Sequence, residues 1–142
     1  MEKISEAMLN EHKRLHSILE RLEKNLQYSS DAWKELFSEF KWNLEKHFFV
    51  EEKAIFKLCN SDCGEKIPEI FDLMKEHGEI IFLMNEIDNE PYDNLLKNLL
   101  EIKKRLIKHS SFEEDNFYLM LDERLSEERR LEVLSRIKDI IR

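Results

Sequence analysis

Glycine and proline are nearly missing from this chain, with two of each in 142 residues. A β-sandwich or barrel draws on both for its many tight turns, so all-β architectures are excluded. Cysteine is as scarce: Cys59 and Cys63 do not make the disulfide framework of a small secreted domain. Uncharged apolar runs such as Ile80 to Met84 fall far short of the ~20 residues that a membrane-spanning helix needs. The opening Met1-Glu2-Lys3-Ile4-Ser5-Glu6 lacks the apolar centre of a secretion signal, and the expected compartment is the cytosol. Net positive charge is absent too. At −8 the chain repels phosphate, and neither nucleic acid nor membrane is an expected partner.

What is present points to helices. Apolar residues make up 42% of the chain and nine residues are Phe, which excludes disorder. The 38% of charged residues read as solvated Glu/Lys faces around a helical core. The length suits one domain, residues 1–142, able to bury roughly 70% of the surface of its unfolded chain.

Five helical segments are expected. The first runs from about Ile4 to Gln27, with Met8, His12, Leu15, Leu19, Leu22 and Leu26 recurring at steps of four and three. After the turn Tyr28-Ser29-Ser30-Asp31, with Asp31 as N-cap, a second helix repeats the rhythm through Trp33, Phe37, Phe40, Leu44, His47, Glu51, Ala54 and Leu58. It ends in Cys59-Asn60-Ser61-Asp62-Cys63-Gly64, and Pro68 suits the first turn of a third helix with a seam of Ile70, Met74, His77, Ile81 and Met84. Asp88-Asn89-Glu90-Pro91 breaks the chain before a fourth seam of Leu95, Leu99, Ile102, Leu106, His109, Glu113, Asn116 and Met120. Ser126 caps a short fifth helix with Leu131, Leu134, Ile137 and Ile141 on one face. The expected architecture is all-α: an up-down-up-down four-helix bundle with a short C-terminal fifth helix covering an end or edge.

These seams carry an anomaly. His12, His47, Glu51, His77, His109 and Glu113 stand where Leu, Ile or Phe belongs. Burying two carboxylates costs several kcal/mol each unless a cation compensates. Counting from the turns at about 1.5 Å per residue, His12, His47 and His77 come out level, while His109 is offset by roughly one turn. His47 and Glu51 are four apart, as are His109 and Glu113, so each pair points from one face into a common volume. The chain also repeats: Glu11-His12 followed by Lys46-His47-x-x-x-Glu51-Glu52 recurs as Glu76-His77 followed by Lys108-His109-x-x-x-Glu113-Glu114. The period is about 65 residues for the first histidine and about 62 for the second, as for one αα-hairpin used twice around a pseudo-twofold axis. Four imidazoles and two carboxylates in a bundle core suit two transition metals, Fe, Mn or Zn, with the carboxylates able to bridge.

With a His on the first helix, His-x-x-x-Glu on the second, Glu-His on the third and His-x-x-x-Glu on the fourth, the sequence resembles the hemerythrin-like family of HHE cation-binding domains over nearly its whole length. The resemblance implies a non-haem di-iron centre, open to an oxo or hydroxo bridge from solvent. Its ligands would be His12, His47, Glu51, His77, His109 and Glu113, with the two glutamates bridging. Manganese or zinc is the lesser expectation. The family's oxygen carriers have a further His one turn from the third-helix His; here Leu73 and Ile81 stand there. The four-His, two-Glu set is closer to the iron-sensing and iron-centre-repair branches, though the N-terminal cysteine-bearing segment of the repair branch is not seen.

His16, one turn from His12, reads either as a half-exposed margin residue or as a fifth nitrogen near the metals. Cys59 and Cys63 read as ordinary thiols or as a redox pair. Trp33, Phe37, Phe40, Phe48 and Phe112 read as packing that also keeps the site dry. The leading functional expectation is a module that binds or senses dioxygen, nitric oxide or peroxide. The alternatives are a di-iron enzyme with peroxidase, oxidase or nitric-oxide-related repair activity, and an iron storage or sensing module. Only Glu52 and Glu114 offer general acid–base chemistry beside the ligands, which weighs against the enzyme. The oligomeric state stays open, because the fifth helix suits a core edge or a dimer contact equally.

Overall fold

The structure, a computed structural model, describes residues 2–25, 30–57, 68–89 and 92–141. It is all-helical, with no strand among the described residues. Helix α1 spans Ile4–Asn25 and α2 Ser30–Val50, and α2 continues without a break into a π-helical turn, Glu51–Phe56. Helix α3 spans Pro68–Asn89 and begins on its proline as expected. Helix α4 (Tyr92–Phe112) likewise runs into a π-helical turn, Glu113–Phe117, and on into α5 (Tyr118–Arg124). Leu125 adopts an extended backbone that ends this rod, and α6 follows over Glu127–Ile141. Ser126 caps α6, its hydroxyl accepting the Arg129 N–H at 3.2 Å. None of the helices is long and apolar enough to cross a membrane, among the described residues. Of the expected turn Tyr28-Ser29-Ser30-Asp31, Ser30 and Asp31 already belong to α2, so Asp31 stands inside the helix rather than as its N-cap, and of the expected break Asp88 and Asn89 still belong to α3. Tyr28 and Ser29, the cysteines Cys59 and Cys63, seam residues Leu26 and Leu58, and the Glu90-Pro91 step lie outside the described residues.

Two apolar clusters build the core. One gathers Leu15, Leu19 and Leu22 of α1, Phe37, Phe40 and Leu44 of α2, Ile80 and Met84 of α3, and Leu99, Ile102 and Leu106 of α4. The other gathers Met8, Ala54, Phe56, Leu73, Phe117, Tyr118 and Leu121, and is closed by Val133, Leu134 and Ile137 of α6. Along each long helix the histidine falls at the boundary between the clusters, so the polar layer is sandwiched between two dry ones. Helix α6 covers the end of the second cluster, as the sequence led one to expect of an appended helix.

The N-terminus of α1 is tied down from far along the chain. Asp122 accepts the backbone N–H of Ile4 at 2.9 Å and of Ser5 at 3.3 Å, and the Ser5 hydroxyl at 2.6 Å. This remote cap satisfies donors that a helix start leaves without partners, and it fixes α1 two turns before His12.

Five predicted core positions need correction. Met74 is 46% exposed, and the α3 seam is instead Ile70, Leu73, His77, Ile80, Met84 and Ile87. Steps of three and of four both stay on one helix face, so the pattern alone does not fix the rotation about His77. Asn116 is exposed and Met120 only half-buried, while Phe117, Tyr118 and Leu121 fill the core. The cause is the π-helical turn at Glu113, whose i→i−5 bond from Tyr118 N–H to Glu113 O advances the seam by one residue. Leu131 is 52% exposed, with Val133 in its place, and Phe112 is exposed at 36% rather than packed.

Candidate metal centre

His47, Glu51, His109 and Glu113 come from the ends of two rods where the backbone loosens. Each glutamate is the first residue of a π-helical turn. Such turns are uncommon inside helices and recur at functional sites, because the extra residue re-aims side chains that a regular helix would carry past each other. His12 and His77 come from the middle of the regular helices α1 and α3. All six are buried, none more than 1% exposed.

The six converge. His47 Nε2 lies 2.8 Å from Glu51 Oε1, His77 Nε2 3.5 Å from the same oxygen, and His109 Nε2 3.8 Å from it. Glu113 Oε1 is 3.3 Å from both His12 Nε2 and His109 Nε2. The Nε2 atoms of His77 and His109 are 3.1 Å apart. The expected one-turn offset of His109 is therefore absent. Counting from a break gives height only where helices end level and lie parallel; here the shared packing of Ile80, Met84, Ile102 and Leu106 sets the register.

Two ligand groups result, His12, His47, Glu51 and Glu113 on one side, and Glu51, His77, His109 and Glu113 on the other, each with its ligand atoms within 4.8 Å of one another. Both glutamates belong to both groups. Four of the inward-facing atoms, His12 Nε2, Glu51 Oε1 and both oxygens of Glu113, are buried without a hydrogen-bond partner. Buried polar atoms are rarely left so, and orphaned acceptors among imidazoles are what a cation would satisfy. The donor set of nitrogen and carboxylate oxygen suits Fe, Mn or Zn.

Outside this ring stands a second one of carboxylates. His12 Nδ1 faces Glu114 Oε1 at 2.8 Å, His109 Nδ1 faces Glu76 Oε1 at 3.0 Å, and His77 Nδ1 lies 3.8 Å from Glu52 Oε1. A carboxylate on Nδ1 turns Nε2 inward with its lone pair free and makes it a more basic ligand. Phe48 stacks on His77, with ring centroids 3.8 Å apart, and helps to hold that ring. Surface cavities of about 360 Å³ and about 410 Å³ reach the outer carboxylates Glu76 and Glu114 respectively.

The charges in the metal-free site are coupled. Burial works against ionisation of Glu51, but His47 and the contacts from His109 and His77 hold its carboxyl well below the usual range. Burial likewise lowers His109, yet the nearby Glu51 carboxylate and the hydrogen bond to Glu76 raise it to about 9. His16 is half-buried and outside both ligand groups; burial, followed by neighbouring His12, lowers its pKa.

One residue of the site escaped sequence reasoning. Tyr118, fully buried, donates its hydroxyl to Glu51 Oε2 at 3.0 Å, and burial followed by the Glu51 charge pushes its pKa well above 10. The available signal was the polar Asn116 in the expected seam, which hinted that the apolar phase slips to Phe117 and Tyr118.

Helices that enclose a buried layer of His and Glu define a helical metal-binding protein. A family model, the hemerythrin HHE cation binding domain, matches residues 3–121, and the chain belongs to that family. No curated protein and no solved structure matches it.

Proposed function

We propose that this chain is a non-haem di-iron protein that binds or senses a small molecule, dioxygen, nitric oxide or peroxide. The observation that carries the reading is the sharing of Glu51 and Glu113 between two groups of ligand atoms. Two cations in one layer need two carboxylates between them to offset their mutual repulsion, and each cation would take two imidazoles of its own. His12 and His47 would hold one, and His77 and His109 the other. Four imidazoles and two carboxylates fall short of filling two six-coordinate ions, which leaves room for an exogenous ligand. Bound there, the iron pair would supply reversible ligation and one-electron chemistry.

The chain's own contribution is orientation and exclusion of water. Glu114 and Glu76 would fix the His12 and His109 rings, Phe48 would brace His77, and the apolar clusters on either side would restrict entry to small molecules. The architecture that fits is a bundle whose four long helices alternate in direction, with α6 as a lid, the whole of 1–142 acting as one domain in the cytosol. Anaerobic addition of nitric oxide or dioxygen to the iron-loaded protein tests this: a stoichiometric spectral change that reverses on gas removal supports the binding module. Steady turnover of peroxide or nitric oxide with a reductant would replace it with the enzyme.

A further inference from the structure

One pattern on α1 stays outside the metal centre. His16-x-x-x-Glu20 repeats the spacing of His47-x-x-x-Glu51 and His109-x-x-x-Glu113, yet neither residue belongs to a ligand group. Both share a helix face with His12, and the three follow one another in steps of about 6 Å along the axis. Their burial is graded: Glu20 is exposed, His16 half-buried and His12 buried. His16 and Glu20 line the cavity of about 410 Å³ between α1 and α4, together with Lys13, Ser17, Ser110 and Glu114. There Glu114 Oε1 lies 2.8 Å from His12 Nδ1, and on the inner side of that ring His12 Nε2 lies 3.3 Å from Glu113.

We propose that this groove is the route by which divalent cations reach the buried centre, with Glu20, His16 and Glu114 as successive donors leading to His12. The inference rests on the metal-centre reading of the six buried residues. Apolar clusters wall those six on either side, and an unsolvated cation crosses such packing only at great cost. A row of donors replaces the waters of a cation a few at a time instead. The charges suit that task, since Glu20 and Glu114 outweigh Lys13. Burial, then His12, lowers the pKa of His16, so its ring is neutral and able to ligate at pH 7. These donors do not converge as the two core groups do, so they pass a cation on rather than keep it. A cation drawn to Glu114 also competes with His12 Nδ1 for that carboxylate and frees the ring to turn aside. The cavity of about 360 Å³ is built against cations. Arg105 takes up its Glu79 and Glu101 at 2.8 and 3.0 Å, His109 faces its Glu76, and Lys104 and Lys108 add two more positive charges. The third outer carboxylate, Glu52, lines neither cavity.

Rapid mixing of metal-free protein with cobalt(II), followed by visible absorption, tests the route. In His16→Ala/Glu20→Gln, loading and chelator-driven release are both expected to slow about tenfold, the lower end of what a charged cleft contributes to association rates. Final stoichiometry and affinity should match wild type, because a route alters both directions equally. Lys13→Gln is expected to speed loading. Glu101→Gln, the same charge change at the other cavity, should leave the rates unaltered. Unchanged rates in the double variant, or equal slowing by Glu101→Gln, overturn the inference and leave local opening of the bundle as the way in. Loss of affinity at an unchanged release rate also overturns it. Failure of the wild type to take up cobalt(II) at all overturns the metal-centre reading instead.

Discussion

Replacing Glu113 with Gln is expected to stabilise the metal-free protein and destabilise the metal-loaded one. Glu113 is 0% exposed, and neither carboxylate oxygen has a hydrogen-bond partner. Its nearest polar neighbours are His12 Nε2 and His109 Nε2, both at 3.3 Å. A buried carboxylate without full compensation costs several kcal/mol, whereas a neutral amide of the same shape leaves a penalty of about 1–3 kcal/mol for its unsatisfied groups. Glutamine fills the same volume and opens no cavity, so a net gain of about 1–3 kcal/mol is expected without metal. At this chain length that is a rise in Tm of roughly 2–4 °C per kcal/mol. With cobalt(II) at a thousandfold above its dissociation constant the wild type gains about 4 kcal/mol by mass action, and a variant lacking a shared ligand forfeits most of it. Urea denaturation followed by helical circular dichroism, once with chelator and once with cobalt(II), reads both values. The order of stability should invert between the two. A Gln variant weaker than wild type under both conditions would show Glu113 to be a structural ion-pair partner rather than a ligand, and would refute the reasoning.

Three further outcomes are expected. The cap on α1 predicts that Asp122→Ala costs about 1–2 kcal/mol, measurable by the same denaturation, because several hydrogen bonds to Ile4 and Ser5 are lost together. In metal-free protein His109 is raised from 6.5 to about 9, so its stabilising contribution is complete below about pH 6.5 and is lost as pH rises through about 9. Glu51 is shifted the other way, and its contribution is present above about pH 4.5 and lost on acidification below that. Cation loading at pH 7 should therefore release a proton from His109, seen as a buffer-dependent binding enthalpy; a buffer-independent enthalpy would contradict this. Glu76→Gln, which removes the charged partner of His109 Nδ1, should weaken cation affinity roughly 10- to 100-fold with little change in fold.

The helices and the six converging side chains were legible in the sequence because both depend on local spacing. His-x-x-x-Glu places two donors on one face of any helix, and a polar residue in an apolar seam stands out wherever the seam lies. The pairing of His12 with His47 and of His77 with His109 was not legible, since it depends on how the helices cross. The π-helical turns were hidden for a different reason. One extra residue in a turn leaves composition and capping untouched and shows only as a phase slip, from Asn116 to Phe117 and Tyr118. Tyr118 was missed with it. The choice of Leu73 over Met74 was likewise decided by neighbours, since both positions share a face with His77.

The central claim is that this chain holds two iron ions between shared glutamates. Metal content per chain, measured on protein purified in air together with its absorption spectrum, addresses it most directly. The account predicts two irons per chain in the wild type, near-ultraviolet bands of a bridged ferric pair, and loss of both ions and bands in Glu51→Ala. Protein that carries no metal, or a single loosely held zinc that survives the Glu51 substitution, would contradict it.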